Sequence, residues 1–268
     1  MADLRIGVIG AGGRGSLARH AHKPGDGARV VACCDTSEAA LEQARSWYGA
    51  DVLTTPDHGE LLAEELDAVF VTTPDFLHEE HALAAIDAGV AVYLEKPIAI
   101  TIEGADRILE AARAKSVRLY LGHNMRHMAF VRKMKTLIDG GVIGEVKTAW
   151  CRHFVGHGGD FYFKDWHADR RLSTGLLLQK GAHDIDVLHW LCGAYTSCVN
   201  AMGRLAVYGE ITDRHGPYEP GNAKVNRDNW PPLAQTQLNP TVDVEDVSMM
   251  NMELANGVLA SYQQCHFA

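Results

Sequence analysis

Two hydrophobic periods alternate along the first 121 residues. Short, near-continuous apolar runs at 4–9, 29–35, 51–53, 67–74, 90–97 and 117–121 predict six strands. Between them, residues 36–48 carry Ala40, Leu41, Ala44 and Trp47 at helical spacing, and 57–66, 76–88 and 102–115 read as further helices, the third of these segments stopped by Gly89. Strands apolar on both faces and separated by single helices predict a parallel sheet covered on both sides. From Gly144 the pattern changes to longer runs at 145–155, 198–209, 244–254 and 258–266. The last two flank Ala255-Asn256-Gly257, and Asn-Gly between alternating runs predicts a hairpin. The expected result is an antiparallel sheet with one face free, backed by a largely buried helix over 174–192.

The first strand runs into Gly10-Ala11-Gly12-Gly13-Arg14-Gly15, and Ser16 to His20 reads as the opening of a helix. Strand, glycines and helix in that order suit a dinucleotide: a tight turn at Gly10, close backbone approach at Gly12, and close helix packing at Gly15. Asp35 ends the second strand 20 residues after Gly15, where a carboxylate accepts both adenosine-ribose hydroxyls. The competing reading of Asp35 is a turn or helix-capping carboxylate. No arginine follows in Thr36-Ser37-Glu38, so NAD is favoured over NADP. In a parallel sheet of this kind ligands sit beyond the carboxyl ends of the strands. Those ends carry Thr72-Thr73-Pro74 with His78, Glu95-Lys96-Pro97, and Gly122-His123-Asn124 with Arg126. Pro97 biases Lys96 towards an extended conformation and fixes the direction of its ammonium. The plain alternative is a solvated strand-end lysine. The pattern predicts an α/β Rossmann N-terminal domain over 1–122 and an α+β C-terminal domain over 123–268, with an open-faced, mainly antiparallel sheet.

Composition narrows the class. At 268 residues and 47% hydrophobic content the chain can bury two cores. Its 25 Lys and Arg against 34 Asp and Glu give a formal charge of −9, which argues against a nucleic-acid partner. A fold that starts at residue 4, with no apolar stretch of bilayer length, leads us to expect no signal peptide, no membrane partner and a cytoplasmic location. Six scattered cysteines without a C-x-x-C pair read as reduced, buried thiols.

The second half offers two centres of chemistry. Residues 156–171 interleave aromatic and charged side chains, among them Tyr162, Lys164, Trp166 and His167, as a sugar-binding surface does; a loop anchored by its aromatics is the alternative. On the helix, Gln179, His183, Asp186 and Trp190 fall on one narrow stripe, and polar side chains on a buried helix need partners or a cavity. A core histidine bonded to Asp186 competes with a catalytic one. Lys180 and Asp184 read as an ordinary helix pair. No metal is expected, since His153, His157 and His167 lack the helical spacing that would aim them at one ion. Residues 210–240 hold five of the nine prolines and read as a lid, an arm or a disordered loop.

The glycine turn, Thr72-Thr73-Pro74-Asp75-x-x-His78, Glu95-Lys96-Pro97 and Gly122-His123-Asn124-Met125-Arg126 together resemble the glucose-fructose oxidoreductase / inositol dehydrogenase / MocA family. Lys180-Gly181-Ala182-His183-Asp184-Ile185-Asp186 resembles its G-x-H-x-x-D signature. The resemblance implies an NAD-dependent oxidoreductase acting on a sugar, polyol or related hydroxyl compound. In it the Lys96 ammonium faces the nicotinamide and hydrogen-bonds the reacting substrate oxygen, and His183 acts as acid/base on the substrate hydroxyl. The family's aspartate four residues before that histidine is Gln179 here, which cannot take a proton. The resemblance also implies oligomerisation, as a dimer or tetramer, through the open sheet face. Members generally continue with further strands and a closing helix, so a chain ending at Ala268 is expected to be truncated. The same family includes glycosidases that use tightly bound NAD through transient oxidation and elimination, and non-catalytic dinucleotide-binding regulators.

Overall fold

The computed structural model describes residues 2–216 and 230–268, and the chain divides into two units, Met1–Gly122 and His123–Ala268. In the first unit, strands β1 (Leu4–Ile9), β2 (Ala28–Cys34), β3 (Leu53–Thr55), β4 (Ala68–Val71), β5 (Ala91–Leu94) and β6 (Leu119–Leu121) form one sheet. All pair in parallel, in the order β3-β2-β1-β4-β5-β6. The order reverses between β1 and β4, so the turns that follow these two strands flank the crevice where such sheets bind ligands.

Helices α1 (Glu38–Tyr48), α2 (His58–Leu62), α3 (His78–Asp87) and α4 (Ile102–Ala114) alternate with the strands. Local chemistry sets their starts: Ser37, Asp57 and Thr101 each accept a backbone N–H of the first turn, satisfying donors that the helix leaves unpaired. One face of the sheet buries Val69, Val71, Leu94, Ile86 and Ile108, and the other buries Ile6, Val8, Val30 and Cys33. Burying each such aliphatic side chain contributes about 1.5–3 kcal/mol. The segment after the glycine turn differs from the expected helix: Gly13–His20 is a 3₁₀ turn, and Pro24 with the left-handed Gly25 and Gly27 follows closely.

The second unit contains α5 (Ala129–Asp139), β7 (Thr148–Phe154), α6 (Gly158–Tyr162), α7 (Arg170–Ser173), α8 (Leu176–Gln179), α9 (Gly181–Cys192), β8 (Thr196–Arg204), β9 (Val247–Leu254) and β10 (Leu259–Cys265). The sheet order is β7-β10-β9-β8; β9 pairs antiparallel with both neighbours, and β7 pairs parallel with β10. Leu188 of α9 packs on Met250, Met252 and Tyr262 on the covered face. On the free face Trp150, Met202, Met249 and Leu259 are exposed, around a concavity of about 680 Å³ that includes Trp150 and Leu259.

The single helix expected over 174–192 begins at Leu176 and is interrupted at Lys180, giving α8 and α9. Thr174 has φ 65° and Gly175 φ 160°, so these two residues separate α7 from α8 and lie outside any helix. The loop expected over 210–240 falls partly on residues 217–229, outside the described residues. No helix among the described residues is long and apolar enough to cross a membrane.

Candidate functional site

In the first unit the glycine turn is closed by backbone geometry. Gly10 has φ 88°, and a Cβ there would lie 2.8 Å from the Thr72 carbonyl carbon and the Thr73 nitrogen; a Cβ on Gly15 would lie 2.3 Å from the Gly10 oxygen. Thr72 Oγ1 donates to that same oxygen at 2.8 Å, tying the end of β4 to the turn. The Asp35 carboxylate makes two backbone contacts. Oδ1 accepts the Ser37 N–H at 2.9 Å, as a turn carboxylate does, and Oδ2 accepts the Gly12 N–H at 2.9 Å. A carboxylate has about four acceptor sites, so two stay available to ribose hydroxyls. Gly13 and Arg14 are exposed beside this turn. The Cβ-free turn and its carboxylate therefore fit a dinucleotide.

The strand ends of this unit are tied together. Arg14 Nε donates to Glu95 Oε1 at 2.8 Å, and the Lys96 N–H donates to Glu95 Oε2 at 3.1 Å. Glu95 is buried, Lys96 half-buried, and the Lys96–Pro97 peptide is cis. His78 is fully buried with Nδ1 2.6 Å from the Pro97 oxygen and Nε2 2.9 Å from the Thr73 oxygen. Burial pushes its imidazole down, against the Pro97 and Thr73 carbonyls, which favour the charged ring. His78 thus clasps the Lys96-Pro97 turn to Thr73-Pro74, holding the two strand ends from inside.

In the second unit His183 and Gln179 are both buried, on the first turn of α9 and at the end of α8. The His183 ring lies 6.2 Å from that of His123, in the turn that precedes Asn124–His127. Asp186 accepts from Arg126 at 2.7 and 2.6 Å, and His123 Nδ1 lies 3.3 Å away. Burial raises the Asp186 carboxyl, but His123 and Arg126 outweigh it and hold it well below the usual range. Arg126 also lies 5.7 Å over the Trp190 ring. Asn124 is half-buried in the same turn.

The aromatic stretch divides. Trp166 stacks on His167 at 3.7 Å, while Tyr162 is half-buried with its ring 5.0 Å from that of His266. Phe163 belongs to the core. The Lys164 ammonium lies 2.7 Å from Asp160 Oδ1, both buried, so its charge is committed to an internal ion pair.

A polar network escaped the sequence reading, which took Asp184 for half of a helix pair. Asp184 is buried; Tyr262 donates to Oδ2 at 2.9 Å and His153 Nδ1 lies 3.0 Å from it. Burial raises its carboxyl, and the contacts with His153 and Tyr262 bring it below the usual value. The available signal was strand register. Cys151 pairs with Tyr262 and His153 with Gln264, so alternate residues of two strands face the helix together.

A family model described as an oxidoreductase family with an NAD-binding Rossmann fold matches residues 4–123, and the Gfo/Idh/MocA C-terminal domain model matches 131–268. An inositol 2-dehydrogenase/D-chiro-inositol 3-dehydrogenase of Halalkalibacterium halodurans is 35% identical over 192 residues, covering 70% of this chain and 52% of that protein. An inositol 2-dehydrogenase of Ralstonia nicotianae is 36% identical over 193 residues, covering 71% and 55%. The chain thus spans about half the length of the curated relatives it matches. In fold it is similar to the WlbA dehydrogenase of Bordetella pertussis, solved with NADH and UDP-GlcNAcA, at a TM-score of 0.77 and 23% identity over 99% of this chain and 73% of that one. It is likewise similar to the apo scyllo-inositol dehydrogenase of Lactobacillus casei, at 0.72 and 22% over 98% and 68%. Two domain models matched in order over nearly the whole chain show that it belongs to the Gfo/Idh/MocA oxidoreductase family, with an NAD-binding Rossmann domain at its N-terminus.

Proposed function

We propose that this chain is the NAD-dependent part of an oxidoreductase that moves hydride between the CH–OH group of a sugar, polyol or related compound and nicotinamide. The glycine turn backed by Asp35 carries the reading, because it leaves a Cβ-free approach next to a carboxylate with unused acceptor sites. Inositol dehydrogenases at 35 and 36% identity support the substrate class. When bound, the nicotinamide accepts or returns the hydride. Gly10, Gly12, Gly13, Arg14 and Gly15 hold the diphosphate, Asp35 the ribose, and Thr72, Thr73, Pro74 and Asn124 border the cofactor.

Lys96 stabilises negative charge developing on the substrate oxygen. Glu95 and His78 act on it indirectly, by fixing the turn it stands on. His183 takes the hydroxyl proton, for which an imidazole needs little adjustment at neutral pH. Gln179 orients a hydroxyl as a neutral amide, while Tyr162, Trp166 and His167 supply a surface for the ring. Asp186 serves substrate binding by holding His123 and Arg126. The exposed Trp150, Met202 and Leu259 support oligomerisation through the open sheet face, and six free thiols support a reducing, cytoplasmic setting.

The test is a panel of inositols, sugars and glycosides with NAD and with NADP, following cofactor reduction and glycoside cleavage. Net NADH formation from a polyol is expected. His183→Ala should lower turnover by about 10²–10⁴-fold with NAD affinity nearly unchanged. Full activity in that variant removes the proton-acceptor assignment, and aglycone release with no net cofactor change removes the dehydrogenase reading.

A further inference from the structure

Away from the catalytic candidates, the first unit gathers two imidazoles and a carboxylate. His58 opens α2, and Glu80 and His81 lie in the first turns of α3. One ligand atom from each lies within 4.8 Å of the other two. The rings of His58 and His81 are 4.7 Å apart at 64°, so they meet edge-on rather than stacked. Among the described residues, no other side chain forms a hydrogen bond or ion pair with the Glu80 carboxylate or the His58 ring.

His81 is held from behind. Its Nδ1 lies 3.1 Å from Thr73 Oγ1, which leaves Nε2 for a second partner. A hydrogen bond at one ring nitrogen that fixes the lone pair of the other is how metal-binding histidines are oriented. Two imidazole nitrogens and a carboxylate oxygen match borderline divalent ions. Zinc bonds of about 2.0–2.2 Å put neighbouring ligand atoms about 3.3 Å apart, so the cluster must close by up to about 1.5 Å. Glu80 is exposed and half-buried His58 stands at a helix start, so both side chains have room to do this.

We propose that His58, Glu80 and His81 bind one divalent transition-metal ion of the zinc class, with water completing its coordination. The ion clamps the starts of α2 and α3 to each other. Through His81 and Thr73 the clamp reaches the end of β4, whose Thr72 is bonded to the glycine turn. It is structural, and it stands independently of the proposed reaction.

Chelator-stripped full chain titrated with Co(II) should show the visible bands of a site with imidazole ligands at one ion per chain, displaced by Zn(II). His58→Ala and Glu80→Gln should each weaken binding by at least about tenfold. Zinc should raise the melting temperature of the unaltered chain and leave that of His58→Ala unmoved. Zinc should also protect His58 of the unaltered chain from acylation by diethyl pyrocarbonate, a readout that needs no substitution. Absence of stoichiometric Co(II) binding, binding unchanged in both variants, or acylation of His58 unaffected by zinc overturns the proposal.

Discussion

Lys164 separates a structural cation from a substrate-binding one. The sequence placed it in an aromatic stretch suited to a sugar, whereas the structure sets its ammonium 2.7 Å from Asp160 Oδ1, with side chains 8% and 0% exposed. Neither Asp160 oxygen has a well-formed hydrogen bond, so Lys164 is the compensating charge among the described residues. Lys164→Met keeps the apolar stem and leaves the carboxylate buried alone. Breaking a buried pair from one side costs about 3–5 kcal/mol. At a urea slope of about 2–3 kcal/mol/M, the midpoint for the second unit should fall by about 1–2.5 M.

Tryptophan fluorescence reads that transition, since Trp150, Trp166, Trp190 and Trp230 belong to the second unit and only Trp47 to the first. The double variant Asp160→Asn/Lys164→Met should recover much of the loss, because no unpaired charge is left inside. A midpoint unchanged in Lys164→Met, together with a raised KM for a polyol, would refute the ion-pair argument and return the ammonium to the substrate.

Gly15→Ala places a methyl 2.3 Å from the Gly10 oxygen, a backbone atom that cannot swing aside. It should cost about 1–3 kcal/mol in the first unit, visible as a lowered melting temperature, and weaken NAD binding in calorimetry. His266 is fully buried, and burial, with His153 and Lys180 nearby, pushes its imidazole down to about 3. Between pH 6.5 and 3 the unfolded chain binds this proton and the folded chain does not. Its contribution is therefore complete above 6.5 and falls by about 1.4 kcal/mol per pH unit on acidification. His266→Leu should flatten the urea midpoint of the second unit against pH over that window, and an unchanged slope would rule out the assignment.

Legibility follows the range of the interaction. The glycine turn, Asp35 and the strand ends were readable because each rests on residues a few positions apart: a left-handed Gly10, an acid closing β2, a proline after Lys96. The Asn256-Gly257 hairpin was readable for the same reason, and β9 and β10 pair antiparallel across it. The break in the helix over 174–192 was not. Its start is set in part by Glu245, which accepts the Leu177 N–H at 2.6 Å from 68 residues away. Apolar periodicity continues straight through Lys180 and cannot register a cap supplied from elsewhere in the chain.

The candidate site obeys the same rule. Residue type nominated His78, Lys164 and Asp186, and burial then decided what each could do. His78 and Lys164 were read as ligand contacts from their neighbours in sequence, yet their polar atoms meet the Pro97 and Thr73 carbonyls and Asp160. Asp160 and Lys164 are spaced i, i+4 and could have been paired from the sequence, but that spacing normally marks a weak surface contact. Only the loss of solvent converts it into a pair whose removal is costly. His183 is nominated by its signature, and beside it His123 contacts Asp186. Both oxygens of Asp186 are engaged by Arg126, which makes this carboxylate a poor proton acceptor. Asp186 therefore acts through what it holds, and a variant such as Asp186→Asn should disturb substrate binding before it disturbs the chemical step.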